Sequence, residues 1–333
     1  MTPAGYASCH TALMVHPILD LDRIILALFK DAIRTKISFD YGIVAADSPK
    51  AFTQQFVDSL DQKPSADPFN DAPVPRAVFR AAVRAIGSNS RRWATFVQAQ
   101  PRLEAALGCY DPAWVSEQTR AGHLSEEHIK SFFPGQTSGA DARATLAWAD
   151  YLCRHDLSSI LREVATFVRA HYQVAEGEAM NDADLMPVLA LFFSRPPSLR
   201  WNGWSSLPLA SSALGSASLK FPGMGPTLAS ELFRNLGWSG FKPDRHVTRL
   251  FDHWIPSVVA ECQERAVRLA AYIGRRDSEA VGFLKYSLAG IAVTPEATRY
   301  SVADNLVWAL GAYVETKRGG MGTAYVLYPA RTP

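Results

Sequence analysis

A chain of 333 residues, 48% of them hydrophobic and 20% charged, can bury a large core and is too apolar for a disordered or low-complexity segment. Its 34 Lys and Arg against 32 Asp and Glu leave a formal charge of +2. That total neither demands nor excludes a nucleic-acid partner, because phosphate binding depends on a local basic face.

From Asp22 to Thr35 the residues Ile25, Leu28, Phe29, Ala32 and Ile33 recur at helical spacing and predict one helix packed on a core. Ser48 and Pro49 open the next helix in cap and first-turn positions. Residues 61–76, "DQKPSADPFNDAPVPR", hold four prolines and read as an extended connection. Helical patterns resume at about 76–86, 91–107, 141–154 and 157–173, with a break near 132–141 and with Asp141 and Asp156 as caps. Residues 182–194 make a further apolar helix, ended by the paired prolines of "RPPSLRWNGW", a loop carrying Trp201 and Trp204. Three amphipathic helices follow residue 255, the last opened by "SVAD" at Ser301, a capping-box-like start. "TAYVLY" near the end is a candidate strand. No solenoid repeat is visible, and the expected fold class is all-α.

Cys9, Cys109, Cys153 and Cys262 lie far apart, with no CxxC and no Cys/His pair at ligand spacing. The expectation is no metal, no other cofactor, and buried thiols in a reducing compartment. No basic start leads into an apolar stretch, and no window reaches membrane-spanning length, so a soluble, cytoplasmic protein is expected.

The informative stretch is "SLKFPGMGPTLASELFRNLGWSGFKPDRHVTRLF", residues 218–251. Pro222 and Gly223 end what precedes them, and Gly225 with Pro226 restarts a helix. On it Leu228, Leu232 and Leu236 recur every four residues, and Gly237 stands at the C-cap. Gly223 and Gly225 would let backbone N–H groups at a helix N-terminus approach an anion, although for "PGMG" taken alone a tight helix–helix turn is the better reading, because such tetrapeptides are common. Asp244 precedes Val247, Leu250, Phe251 and Trp254, which share a helical face, so it sits at a helix N-terminus where aspartate is a favoured cap.

Taken together, "FPGMG", the apolar helix and "PDRHVTRL", with Asp244 nineteen residues after Gly225, resemble the helix-hairpin-helix DNA glycosylase superfamily over roughly residues 205–255. The resemblance implies two helical lobes with a DNA-binding cleft between them. Residues 1–130 would pack with 260–333, and residues 131–259 would form the hairpin domain. It implies a hairpin that grips DNA beside a flipped nucleotide, and a catalytic Asp244 facing the sugar. A fixed carboxylate there favours oxocarbenium character at C1′ and can orient or deprotonate water.

Thr227 stands where strand-cleaving members carry a Schiff-base lysine, and the cysteines of the family's iron–sulfur loop are missing. The resemblance therefore implies a monofunctional, metal-free glycosylase, acting as a monomer on double-stranded DNA with a damaged or modified base. Gly223, Gly225, Thr227, Lys220, Lys242, Arg245 and His246 are candidate DNA contacts. Trp201, Trp204 and Trp238 are candidates for the base pocket. Lys220, Arg234, Lys242, Arg245 and Arg249 outnumber Glu231 and Asp244 between residues 220 and 249, an excess that suits DNA. A non-catalytic helix-hairpin-helix grip is the alternative, since such hairpins also serve as bare phosphate contacts. The excised base is not readable from these residues.

Overall fold

The computed structural model describes residues 17–44, 46–60, 74–89, 92–177, 179–195, 219–316 and 327–329. Among them the chain is almost wholly helical. The helices are α1 (Leu21–Leu28), α2 (Asp31–Tyr41), α3 (Pro49–Ser59), α4 (Pro75–Gly87), α5 (Trp93–Ala106), α6 (Pro112–Arg120), α7 (Glu126–Lys130) and α8 (Ser138–Arg154). They continue as α9 (Leu157–Glu176), α10 (Asp182–Ser194), α11 (Pro226–Asn235), α12 (Arg245–Trp254), α13 (Pro256–Tyr272), α14 (Ser278–Val293) and α15 (Tyr300–Ala309), which runs into a π-helical turn, Leu310–Val314. Two short strands, β1 (Pro17–Leu19) and β2 (Leu327–Pro329), pair antiparallel with Ile18 opposite Tyr328, so part of "TAYVLY" is strand.

Local chemistry accounts for most boundaries. Ser48 caps α3 through Ala51 N–H with Pro49 in the first turn, and Asp156 caps α9 through Ser159 N–H. The segment 22–35 is two helices rather than one. Lys30 is extended between them, and the Phe29 ring meets Phe52 edge-on at 5.8 Å while Arg34 covers it at 4.8 Å. Tertiary packing overrides a continuous periodic pattern there. Asp141 is not a cap: α8 begins at Ser138, and the buried Asp141 accepts bonds from Asn89 and Thr137. The helices α6 and α7 were not read from the sequence.

The apolar side chains gather into two cores. One collects α4 to α11 with parts of α13 and α14, from Val78 to Trp238 and from Ala266 to Leu288. The other joins α1 to α3 with α12, the start of α13, the end of α14 and α15, from Leu19 to Leu60, Phe241 to Val259 and Ala289 to Leu310. This division differs from the expected grouping of 1–130 with 260–333. Residues 78–129 pack with α8 to α11, and the chain crosses from one core to the other between Trp238 and Phe241. The crossing puts Asp244 beside the junction.

Candidate active site

The turn before α11 is fixed from behind. Pro222 C=O accepts the Trp148 indole N–H at 3.0 Å, Phe221 N–H donates to Phe193 C=O at 2.8 Å, and the Phe221 ring stacks on Phe193 at 4.6 Å. Gly223 is left-handed, with φ +67°, and a Cβ there would meet Ala144 Cβ at 2.4 Å. Gly225 is different: it is extended, caps α11, and a Cβ on it would meet nothing within 4 Å. One glycine is demanded by packing; the other leaves its outer side open. Pro226 carries no N–H, and the Thr227 and Leu228 N–H groups precede the first intrahelical bond, Ala229 N–H to Gly225 C=O at 3.0 Å, at the dipole-positive end of the helix.

Beyond α11, Gly237 reverses the chain with φ +90°, and Phe241 enters the second core over Gly290. Asp244 then caps α12. Its Oδ1 accepts His246 N–H at 2.8 Å and Val247 N–H at 3.0 Å, while Oδ2 has no hydrogen-bond partner among the described residues. The cap is anchored because Val247, Leu250, Phe251 and Trp254 are all buried on one face of α12.

Asp244 lines a cleft of about 670 Å³ between the two cores. Thr227, Lys242, Arg245 and His246 line it too, so five of the residues singled out in the sequence share one cavity. Lys220 is exposed outside this lining, as are Gly223 and Gly225. Trp238 is not a pocket wall: it is 3% exposed and stacked on Phe233 at 4.7 Å within the core, so it cannot meet a base. Trp201 and Trp204 lie outside the described residues.

Glu231 and Arg234 on α11, which counted in the sequence only as charges in a tally, line the cleft as buried groups, and α15 contributes Asp304, Asn305 and Trp308, which the sequence did not point to, with Tyr313 added by the π-helical turn. Lys36, Asp40, Arg92 and Trp93 supply the facing wall. Arg234 is 1% exposed and ties these together: Nη1 lies 3.1 Å from Glu231 Oε2 and 2.7 Å from Asp304 Oδ2, and Nη2 donates to Asn305 Oδ1 at 2.5 Å. Lys242 Nζ sits 3.1 Å from Glu231, so it is an ion-paired cleft lysine rather than a free surface cation. Arg249 donates to the carbonyls of Gly311 and Glu315, holding the π-helical turn against α12.

Two buried carboxyls here behave oppositely. Burial raises the Glu231 carboxyl, but the Lys242 and Arg234 charges overrule it and hold the group below its ordinary range. Burial pushes Asp304 up to about 7; Arg234 and Lys242 pull downward, and the Asp244 charge pushes upward again. The difference is contact: Glu231 lies 3.1 Å from both Arg234 and Lys242, whereas Asp304 is ion-paired with Arg234 alone and also feels the Asp244 charge. Burial also lowers the His246 imidazole, against the pull of Asp244 and with help from Arg245 and Arg249. On the opposite wall, Asp40 accepts the Tyr313 hydroxyl at 2.9 Å and faces the largely exposed Arg92 at 3.6 Å.

Among the described residues no cluster of three or more His, Cys, Asp or Glu side chains is arranged to hold a metal ion, and no helix is long and apolar enough to cross a membrane. Compared with protein-family models, with curated proteins and with solved structures, the chain matches none.

Proposed function

We propose that this chain is a DNA glycosylase of the helix-hairpin-helix kind, which flips a damaged or modified base out of double-stranded DNA and hydrolyses its N-glycosidic bond, leaving an abasic site. The observation that carries this reading is Asp244: a carboxylate with one oxygen fixed by two backbone amides and the other unbonded, in a polar cleft that the helix after the glycine turn also lines. In this reading the two cores are the two lobes, and the turn at Phe221–Gly225 is the hairpin.

The chemistry follows from the positions. A backbone phosphate sits on the open side of Gly225 and accepts from the N–H groups at the start of α11, helped by Lys220 and Arg245. The flipped nucleotide enters the cleft, where its unstacking cost of a few kcal/mol is offset by contacts to Trp93, Trp308 and Tyr313. As the C1′–N bond breaks, positive charge on the sugar is met by the Asp244 carboxylate, which also orients water and takes its proton. Thr227 supplies no amine, and Lys242 is engaged by Glu231, so hydrolysis rather than strand cleavage is expected.

The test is base release from a panel of duplexes carrying alkylated, oxidised, mismatched or bulky modified bases, with abasic sites revealed by alkali. Release by the natural protein that disappears in Asp244→Asn, while DNA binding persists, supports the glycosylase. Binding that weakens with salt, without release from any duplex, favours the alternative of a non-catalytic DNA grip. That second reading draws on the same two amide bonds, since an N-cap by itself accounts for an aspartate at this position.

A further inference from the structure

Asp304 reaches from α15 into the backbone that carries Asp244. Its Oδ1 accepts Lys242 N–H at 2.9 Å, and Asp244 N–H closes a tight turn on the Lys242 carbonyl at 2.8 Å. Its other oxygen meets Arg234, whose second nitrogen is spent on Asn305 and on the Ser301 carbonyl at 3.3 Å. Both members of the ion pair are out of water, at 1% and 0% exposure. Such a pair is expensive to hold dry and is weak as a stability device against apolar packing of the same volume. It does not cap α15 either, because that helix starts at Tyr300 with no side-chain cap. What it does is tie α11, α15 and the Lys242–Asp244 segment at one point.

We propose that the Arg234–Asp304 pair positions Asp244, holding the Lys242–Asp244 segment at the cleft wall so that the carboxylate meets the sugar in a fixed place, and that it does so only while Asp304 is ionised. The inference rests on the glycosylase reading of the site. The charged groups around Asp304 are Glu231 and Arg234 on α11 and Lys242 and Asp244 on the connecting segment; Arg299, just before α15, feels the charge of Arg234. A proton on Asp304 removes one of its two acceptor positions, so either the guanidinium loses its contact with Asp304 or the Lys242 amide loses its acceptor. Asp304 is pushed up to about 7, so this change falls near neutral pH.

Single-turnover base release and DNA affinity are to be measured between about pH 5.5 and 8.5, a range bracketing the Asp304 titration, on the natural protein, Asp304→Asn and Arg234→Lys. The natural rate rises with pH through about 7. Asp304→Asn keeps an acceptor for the amide but cannot ionise; it releases base about 10- to 100-fold more slowly, as expected for a small misplacement of the reacting group. It shows no rise across this range, and its affinity for DNA is unchanged. Arg234→Lys keeps a cation and the rise, with a smaller loss of rate.

A natural rate and profile in Asp304→Asn overturn the proposal, and so does a parallel loss of rate and DNA affinity. If Asp304→Asn does not fold, Arg234→Lys decides: a natural rate there is equally fatal. No release by the natural protein from any duplex defeats the glycosylase reading and this inference with it, whereas natural release with unaltered variants defeats this inference alone.

Discussion

Replacing Gly223 or Gly225 by alanine separates what the turn before α11 owes to packing from what it offers to a ligand. Gly223 has φ +67°, and its new Cβ would lie 2.4 Å from Ala144 Cβ on α8. The left-handed backbone costs about 1–2 kcal/mol for a residue with a side chain, and forcing a methyl into a filled contact costs a further ~1–3 kcal/mol. Gly223→Ala is therefore expected to lose about 2–5 kcal/mol, a large share of a domain stability of roughly 5–15 kcal/mol. Gly225→Ala meets open space in an extended conformation, and its cost is that of a poorer cap, under about 1 kcal/mol. Urea unfolding followed by tryptophan fluorescence is suited to the comparison, because Trp148 is bonded to the turn itself. On DNA the order reverses. Gly225→Ala, fully folded, is expected to bind about tenfold more weakly, the equivalent of one lost backbone contact. Equal destabilisation by the two substitutions, or full DNA affinity in Gly225→Ala, would refute the assignment of roles.

Asp244→Asn keeps an acceptor for His246 and Val247 N–H and should change stability little, whereas Asp244→Ala should cost about 0.5–2 kcal/mol as a lost cap; thermal or urea unfolding of both checks it. Arg234→Met leaves Glu231 and Asp304 buried without their shared cation, so a loss of about 3–5 kcal/mol is expected, partly recovered on adding Asp304→Asn. The two carboxyls also set opposite pH slopes. Glu231 is held below its ordinary range, so its contribution is present above the ordinary glutamate pKa and is lost as pH falls through the lowered one. Asp304 is raised to about 7, so its contribution is full below the ordinary aspartate pKa of about 4 and is lost as pH rises through 7. Melting temperatures across pH should show Glu231→Gln removing part of the acid-side decline and Asp304→Asn removing part of the fall in stability between about pH 4 and about 7. Unchanged slopes in both variants would count against the buried-network account.

What the sequence determined was local. Ser48–Pro49, Asp156, Gly237 and Asp244 end or begin helices because capping and turn chemistry act within a few residues. The buried face of α12 is legible because Val247, Leu250, Phe251 and Trp254 recur at helical spacing. The grouping of Thr227, Lys242, Asp244, Arg245 and His246 in one cleft was anticipated only as a run along the chain. Tertiary structure decided the rest. Periodicity records polarity and not distance, so Arg234 counted among the basic residues suited to DNA and "SVAD" read as a capping-box-like start, although Arg234 and Asp304 belong to one buried network. Arg234 and Asn305 are 71 residues apart, and nothing local to either announces the other. Asp304, Trp308 and Tyr313 reach the cleft because α15 packs on α12, bringing the later part of the chain beside Asp244. Charge in a dry junction is held by its partners, and those partners exist only once the helices have met.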